Sequence, residues 1–105
     1  ESEMKKENNL GLLEDLYLII KSRDKSKKNN SYTKALLKEG KNKIAKKIGE
    51  ESTELIIDYI RGSKKRTIEE ASDLIYHLLV LLYSKKISIK DIKHELIKRK
   101  NVRRK

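Results

Sequence analysis

Three observations predict an all-α fold. The 105-residue chain has no proline and only four glycines but abundant Leu, Ile and Lys, a composition suited to helices and poorly suited to a turn-rich β sandwich. Its apolar residues recur at spacings of three and four, and no strand-like alternation competes with that period. Capping residues and glycines also fall where such helices would begin and end. At this length one small domain is expected, built from four main helices and one short one as a helical bundle.

The elements follow in order. Leu10, Leu13, Leu16, Tyr17 and Ile20 define an amphipathic helix over residues 10–23. Residues 24–30 are polar and lysine-rich, ending in Asn29-Asn30, and read as a loop. Ser31-Tyr32-Thr33 caps a short helix that runs through Glu39 and stops at Gly40. A long helix covers Lys41 to Arg61 and ends at Gly62-Ser63. Thr67 with Glu70 three residues later has the form of a capping box and opens a second long helix running to Ser84. Ser88 opens the last helix, which extends to Lys100 with Ile89, Ile92, Leu96 and Ile97 on one side. The short link over residues 62–66 makes the two long helices antiparallel neighbours. Residues 1–9 are an N-terminal extension, residues 10–100 the domain, and residues 101–105 a basic tail.

Charge and cysteine content narrow the function classes. The net charge is +11, from 27 basic and 16 acidic side chains. By itself that excess favours a nucleic-acid partner. It is unevenly placed, however: residues 67–84 contain three acids and no Lys or Arg, while residues 85–105 contain ten basic side chains and two acids. All five aromatics are tyrosines and none lies beyond Tyr83, so the basic tail lacks the stacking residues that single-strand readers interleave with their cations. Specific nucleic-acid recognition is not expected, although a basic helical nucleic-acid module remains the alternative from a different function class. With no cysteine there is no disulfide framework and no thiolate nucleophile or metal ligand. The longest apolar run, Leu74 to Tyr83, spans ten residues, about half of the roughly 20 that a bilayer requires. No secretory-type segment opens the chain, so the cytoplasm is the expected location. The first residue is Glu1 and the first methionine Met4, as expected of a tag remnant or of a piece of a longer chain.

The carboxylates carry the chemistry. On a helical wheel Ile44, Ile48, Leu55 and Tyr59 fall within about 60° of one another and mark a buried stripe. Glu51 projects into the middle of that stripe, and Glu54 and Asp58 lie along its edge. A carboxylate there costs several kcal/mol unless it is paired. On the next helix Glu70, Asp73 and His77 share a face, while Leu74, Ile75, Leu78, Leu79 and Leu82 cover the other side, so that helix is apolar nearly all round and needs cover on both faces. Two neighbouring helices therefore each turn an i,i+3 acidic pair inward, Glu51 with Glu54 and Glu70 with Asp73. Side chains at that spacing are about 5–6 Å apart at Cβ and can share an ion. Hard, all-oxygen ligation points to Mg²⁺ or Mn²⁺. Pairing with some of the 27 basic side chains is the other way to satisfy these acids.

The stretch Lys46-Lys47-Ile48-Gly49-Glu50-Glu51-Ser52-Thr53-Glu54, followed by Glu70-Ala71-Ser72-Asp73-Leu74-Ile75-Tyr76-His77-Leu78-Leu79-Val80, resembles the phosphoribosyl-ATP pyrophosphohydrolases of histidine biosynthesis. That family belongs to the MazG-like all-α NTP pyrophosphohydrolase superfamily, which is marked by E-E-x-x-E and E-x-x-D. The Ser31-Tyr32-Thr33 and Glu95-Leu96-Ile97-Lys98-Arg99 blocks resemble it too. The resemblance implies Mg²⁺-dependent conversion of phosphoribosyl-ATP and water to phosphoribosyl-AMP and pyrophosphate, with Mn²⁺ as an alternative ion. It implies that Glu51, Glu54, Glu70 and Asp73 hold the metal and that Glu50 is a further or outer member of the catalytic set. Lys47, Arg23 and Arg99 are then candidate phosphate contacts, and Ser31, Tyr32 and Thr33 candidate pocket residues, although Ser31 also explains itself as a helix cap. His77 is expected as a hydrogen-bonded core residue or an outer-shell one, and Tyr76 and Tyr83 as packing. A homodimer is expected, with other histidine-pathway enzymes as possible partners, because many organisms fuse this domain to the cyclohydrolase of the next step. The enzyme alternative is a housecleaning NTP pyrophosphohydrolase of the same fold.

Overall fold

The computed structural model describes residues 11–27 and 31–102, which form five helices with no strand among them. They are α1 (Leu12–Lys25), α2 (Tyr32–Glu39), α3 (Lys41–Arg61), α4 (Lys64–Ser84) and α5 (Ile89–Val102). Leu10, the extension 1–9, the Asn29-Asn30 end of the loop and the tail from Arg103 lie outside the described residues.

Each boundary has a local cause. Ser31 accepts the Lys34 backbone N–H at 3.1 Å and starts α2. Gly40 both ends α2 and starts α3: its N–H donates to the Leu36 carbonyl and its own carbonyl accepts from Ile44. Its φ of +98° is a region glycine enters without the Cβ penalty. A two-residue link, Gly62-Ser63, joins α3 to α4. A Cβ at Gly62 would stand 2.5 Å from the Asp58 carboxylate and 2.9 Å from its Cα, so only glycine fits this close approach. Ser88 and Asp91 cap α5 reciprocally, the Asp91 carboxylate accepting from the Ser88 N–H and the Ser88 hydroxyl accepting from the Asp91 N–H.

Four expectations are corrected. Helix α4 begins at Lys64, not Thr67, because Ser63 takes the cap by accepting from the Arg66 N–H at 3.0 Å. Thr67 then sits inside the first turn and turns its hydroxyl back to the Ser63 and Asp58 carbonyls. Helix α1 continues through Asp24 and Lys25, which read as loop, and α5 runs two residues past Lys100. Tyr59, assigned to the buried stripe of α3, is 78% exposed.

The packing is dominated by the antiparallel α3–α4 hairpin, with α1 and α2 laid against it and the start of α5 against α1. Every helix contributes to one small core: Ile20, Leu36, Ile44, Leu79, Val80, Leu82 and Ile89. Tyr17 and Tyr83 border it edge to face at 5.8 Å. The Tyr17 hydroxyl donates to the Ile87 carbonyl at 2.7 Å and the Tyr83 hydroxyl to the Asp24 carboxylate at 2.6 Å, which ties the end of α1 to the end of α4.

The bond to Asp24, together with burial, pushes the Tyr83 phenol up to about 12. A phenol held protonated by the fold contributes in full below its ordinary pKa of about 10 and loses that contribution as pH climbs toward about 12. Tyr83→Phe should therefore cost about 1–2 kcal/mol at neutral pH, with the deficit shrinking between about pH 10 and 12, as read from urea midpoints across that range.

Candidate active site

The two-residue link brings the middle of α3 against the first half of α4. Glu51 is half-buried, Glu70 is buried at 6% exposure, and Asp73 is exposed. One carboxylate oxygen from each lies within 4.8 Å of the others. Oxygens sharing an octahedral ion at 2.0–2.1 Å stand about 3–4 Å apart, so small side-chain rotations bring this set onto one cation. The acidic, all-oxygen character of the set fits a hard divalent ion.

Glu54 is exposed, and its carboxylate is not among those three. It is nevertheless close enough to act on Glu70, whose carboxyl is raised above its ordinary value first by burial and then by the Glu54 charge. Arg66 opposes the rise, and Glu51 and Asp73 add to it. Arg66 is the residue that sequence reasoning missed. Its guanidinium reaches Glu70 at 3.0 Å, Glu69 at 3.2 Å and Asp58 at 3.7 Å. The available signal was its i,i+4 spacing to Glu70 on a helix that begins one turn earlier than Thr67. Lys47 stands between Glu50 at 3.7 Å and Glu51 at 3.8 Å. Glu50 is the outlier of the five acids, half-exposed along its side chain and directed at Lys47.

Helix α2 supplies the wall. His77 sits within hydrogen-bond reach of the Asp73 carbonyl through Nδ1 and of the Tyr32 hydroxyl through Nε2, both at 2.8 Å. A carbonyl only accepts, so Nδ1 carries a proton and donates to it, while Nε2 and the Tyr32 hydroxyl share the second bond. Tyr32 is 55% exposed as a residue, but its hydroxyl end is turned inward. Burial raises that hydroxyl, the nearby Lys47 charge lowers it, and Glu51 and Asp73 are felt as well. Thr33 is fully buried and shares a 2.5 Å hydrogen bond with the Tyr76 hydroxyl, which also accepts from Arg23 at 3.0 Å. Tyr76 thus links α1, α2 and α4, a polar duty beyond the packing role expected of it.

The structure therefore gathers Glu51, Glu70, Asp73, Glu54, Lys47 and Tyr32, with Thr33 and Arg23 joined through Tyr76. Ser31 acts as a helix cap. Arg99 is directed at Glu95 on its own helix, at 3.0 Å, and α5 packs against α1.

The family model for phosphoribosyl-ATP pyrophosphohydrolase matches residues 13–100. The chain belongs to this family. Among similar proteins, the phosphoribosyl-ATP pyrophosphatase of Clostridium novyi is 43% identical over 93 residues, covering 89% of this chain and 84% of the relative. That of Sulfolobus acidocaldarius is 48% identical over 88 residues, 84% of this chain and 93% of the relative. The histidine biosynthesis bifunctional protein HisIE of Caldanaerobacter subterraneus is 45% identical over 93 residues, of which this chain spans 45% of the length. Phosphoribosyl-ATP pyrophosphohydrolases thus supply a family context for the acidic hairpin, and that context covers every side chain named above.

A carboxyl raised by its surroundings opposes folding at neutral pH, where it must ionise. Glu70→Gln should consequently raise the thermal midpoint of the metal-free protein by a few degrees at about pH 7 in EDTA, as measured by circular dichroism. A lowered midpoint would mean that Arg66 already compensates the charge of Glu70.

Proposed function

We propose that this chain hydrolyses phosphoribosyl-ATP to phosphoribosyl-AMP and pyrophosphate, a step of histidine biosynthesis, using Mg²⁺ held by the α3–α4 acids. Membership of the family supports the reaction, and the observation that carries the mechanism is the convergence of Glu51, Glu70 and Asp73 within 4.8 Å. These three would hold the ion, with Glu54, one turn beyond Glu51, as the fourth carboxylate of the set. Bound there, Mg²⁺ supplies positive charge that neutralises the polyphosphate as the bond between its α and β phosphates breaks. Lys47 adds a second positive charge beside Glu51. Arg66 offsets part of the burial that disfavours the charged form of Glu70. The Tyr32–His77 pair fixes a hydroxyl at the edge of the acids, and Arg23, held at Tyr76, faces the same rim as a phosphate contact. The water that attacks gives its oxygen to one phosphoryl product and its protons to the surrounding carboxylates and solvent, so no covalent enzyme intermediate is needed.

The working unit under this proposal is a homodimer. Ile56, Tyr59 and Ile60 on α3 and Ile68, Ile75 and Leu78 on α4 form exposed apolar stripes, each residue 43–78% exposed. The radius of gyration is 15.8 Å, against about 13 Å for a compact chain of this length. A second copy laid against α3 and α4 covers those stripes and supplies the second face that α4 needs. It also brings another α5 into the assembly, which is the route by which Arg99 comes to serve a site. No helix among the described residues is long and apolar enough to cross a membrane, and the cytoplasm, where histidine-pathway enzymes would meet the product, is the proposed location. The bifunctional relatives carry their activities on one chain, and a cyclohydrolase is the natural consumer of the product here.

Pyrophosphate release from phosphoribosyl-ATP should require Mg²⁺, stop in EDTA and exceed release from ATP by at least about a hundredfold. Equal turnover of ATP would point instead to a general NTP pyrophosphohydrolase. Glu51→Gln and Glu54→Gln should each lower kcat by at least about a hundredfold, the scale of losing a metal's charge stabilisation, while leaving the helical circular dichroism unchanged. Ile60→Asp should halve the mass seen by light scattering and reduce activity with it; a parent protein that is already monomeric at assay concentration would sink the dimer.

A further inference from the structure

A cavity with several lysines at its rim lies away from the acids, where the end of α1 faces the α4–α5 turn. It encloses about 570 Å³ and is lined by Lys21, Lys25 and Lys86, with Asp24, Tyr17 and Tyr83 behind them. Along α4, Tyr83 is ten residues beyond Asp73, about 15 Å at 1.5 Å per residue, so this is a different place from the metal-binding hairpin.

Two features of it run against stability. Lys21 and Lys25 stand one turn apart on α1, a like-charge i,i+4 pair that is mildly destabilising. Lys86 has φ of +62°, the one non-glycine residue with positive φ among those described. The turn around it, with Lys86 N–H on the Tyr83 carbonyl and Ile87 N–H on the Leu82 carbonyl, both at 2.9 Å, is a Schellman ending whose left-handed position is ordinarily glycine. A side chain there is strained, its Cβ crowding the following carbonyl oxygen. All three lysines are solvent-exposed, and none is in an ion pair among the described residues. The one carboxylate in the wall, Asp24, is engaged by the Tyr83 hydroxyl at 2.6 Å, and that phenol stays protonated well past neutral pH. The cavity therefore keeps a net positive charge, three ammonium groups against the single Asp24 carboxylate.

We propose that this cavity is a second anion site that binds a small phosphate-bearing ligand of nucleotide size, its phosphates on Lys21, Lys25 and Lys86. A positively charged recess satisfies such a ligand through charge-assisted hydrogen bonds, and about 570 Å³ is the size of an ordinary small-molecule pocket. Strain and repulsion concentrated in one recess are what a binding site retains and a purely structural turn would lose. The site gives the lysine-rich end of α1 a task separate from hydrolysis.

The test uses inorganic pyrophosphate and ADP as probes on the full chain in excess EDTA, where no cation can recruit them to the acids. Each probe is titrated by calorimetry and by ¹H–¹⁵N NMR. Saturable binding tighter than about 1 mM at moderate salt is expected from at least one probe, with shifts centred on Tyr83, Ser84 and Lys86. Tighter ADP than pyrophosphate would place a nucleoside against the tyrosines; parity would confine recognition to phosphate. The double variant Lys21→Gln with Lys86→Gly should weaken binding at least tenfold while keeping kcat for phosphoribosyl-ATP in Mg²⁺. Its fold is secure because glycine relieves the positive φ. Absence of saturable binding, affinity unchanged in the double variant, or affinity lost in Lys47→Gln but kept in the double variant would each overturn the proposal.

Discussion

The constraint on which the molecule turns is mutual repulsion among carboxylates that the chain nevertheless forces together. Glu51, Glu70 and Asp73 hold oxygens within 4.8 Å of each other, with Glu54 close enough to disturb Glu70. Such a group persists only on a rigid frame, and the α3–α4 hairpin is that frame. Its two-residue link leaves no slack: Gly62 fits where a Cβ would strike Asp58, Ser63 caps α4, and Asp58 accepts from both Gly62 and Thr67. Arg66 leans from the first turn of α4 onto Asp58, Glu69 and Glu70, so the turn that creates the charge problem also supplies part of its relief.

The remaining helices read as support for that hairpin. Ile20, Leu36 and Ile44 are buried against Leu79 and Val80, which anchors α1 and α2 beside the acids. Tyr32 and Thr33, adjacent on α2, then reach His77 and Tyr76, adjacent on α4. Lys47 and Arg66 touch this centre, but most of the positive charge lies elsewhere. With residues 67–84 free of Lys and Arg, that surplus acts at a distance, as the field that under the proposed function would draw an anionic nucleotide toward the acidic hairpin.

Much of this was legible in the residues. The apolar spacing marked α1 and α5, caps and glycines marked the other three helices, and Glu51 stood out by its place on an apolar stripe. What stayed hidden had physical reasons. Ser63 and Thr67 are both competent caps, and the choice between them is made by the close fit at Gly62, which a linear sequence does not display. Tyr59 matches the wheel of the buried stripe yet is 78% exposed, because nothing in a single chain crosses α3 at that end. Arg66 was one of ten basic residues in residues 31–66, and only the true start of α4 singles it out. Arg99 lies in a block that resembles the family, but its pairing with Glu95 and the packing of α5 against α1 are set by tertiary contacts that the linear sequence does not display.

All the converging acids lie between residues 51 and 73, on two helices joined by a two-residue turn. Contacts that close in sequence form early when a small helical protein folds, since little loop entropy opposes them. The acidic hairpin is therefore placed to close early, with its own repulsion opposing that step. A cation that quiets those carboxylates would ease the closing of the hairpin, so that the ion proposed for catalysis would also help the chain to fold.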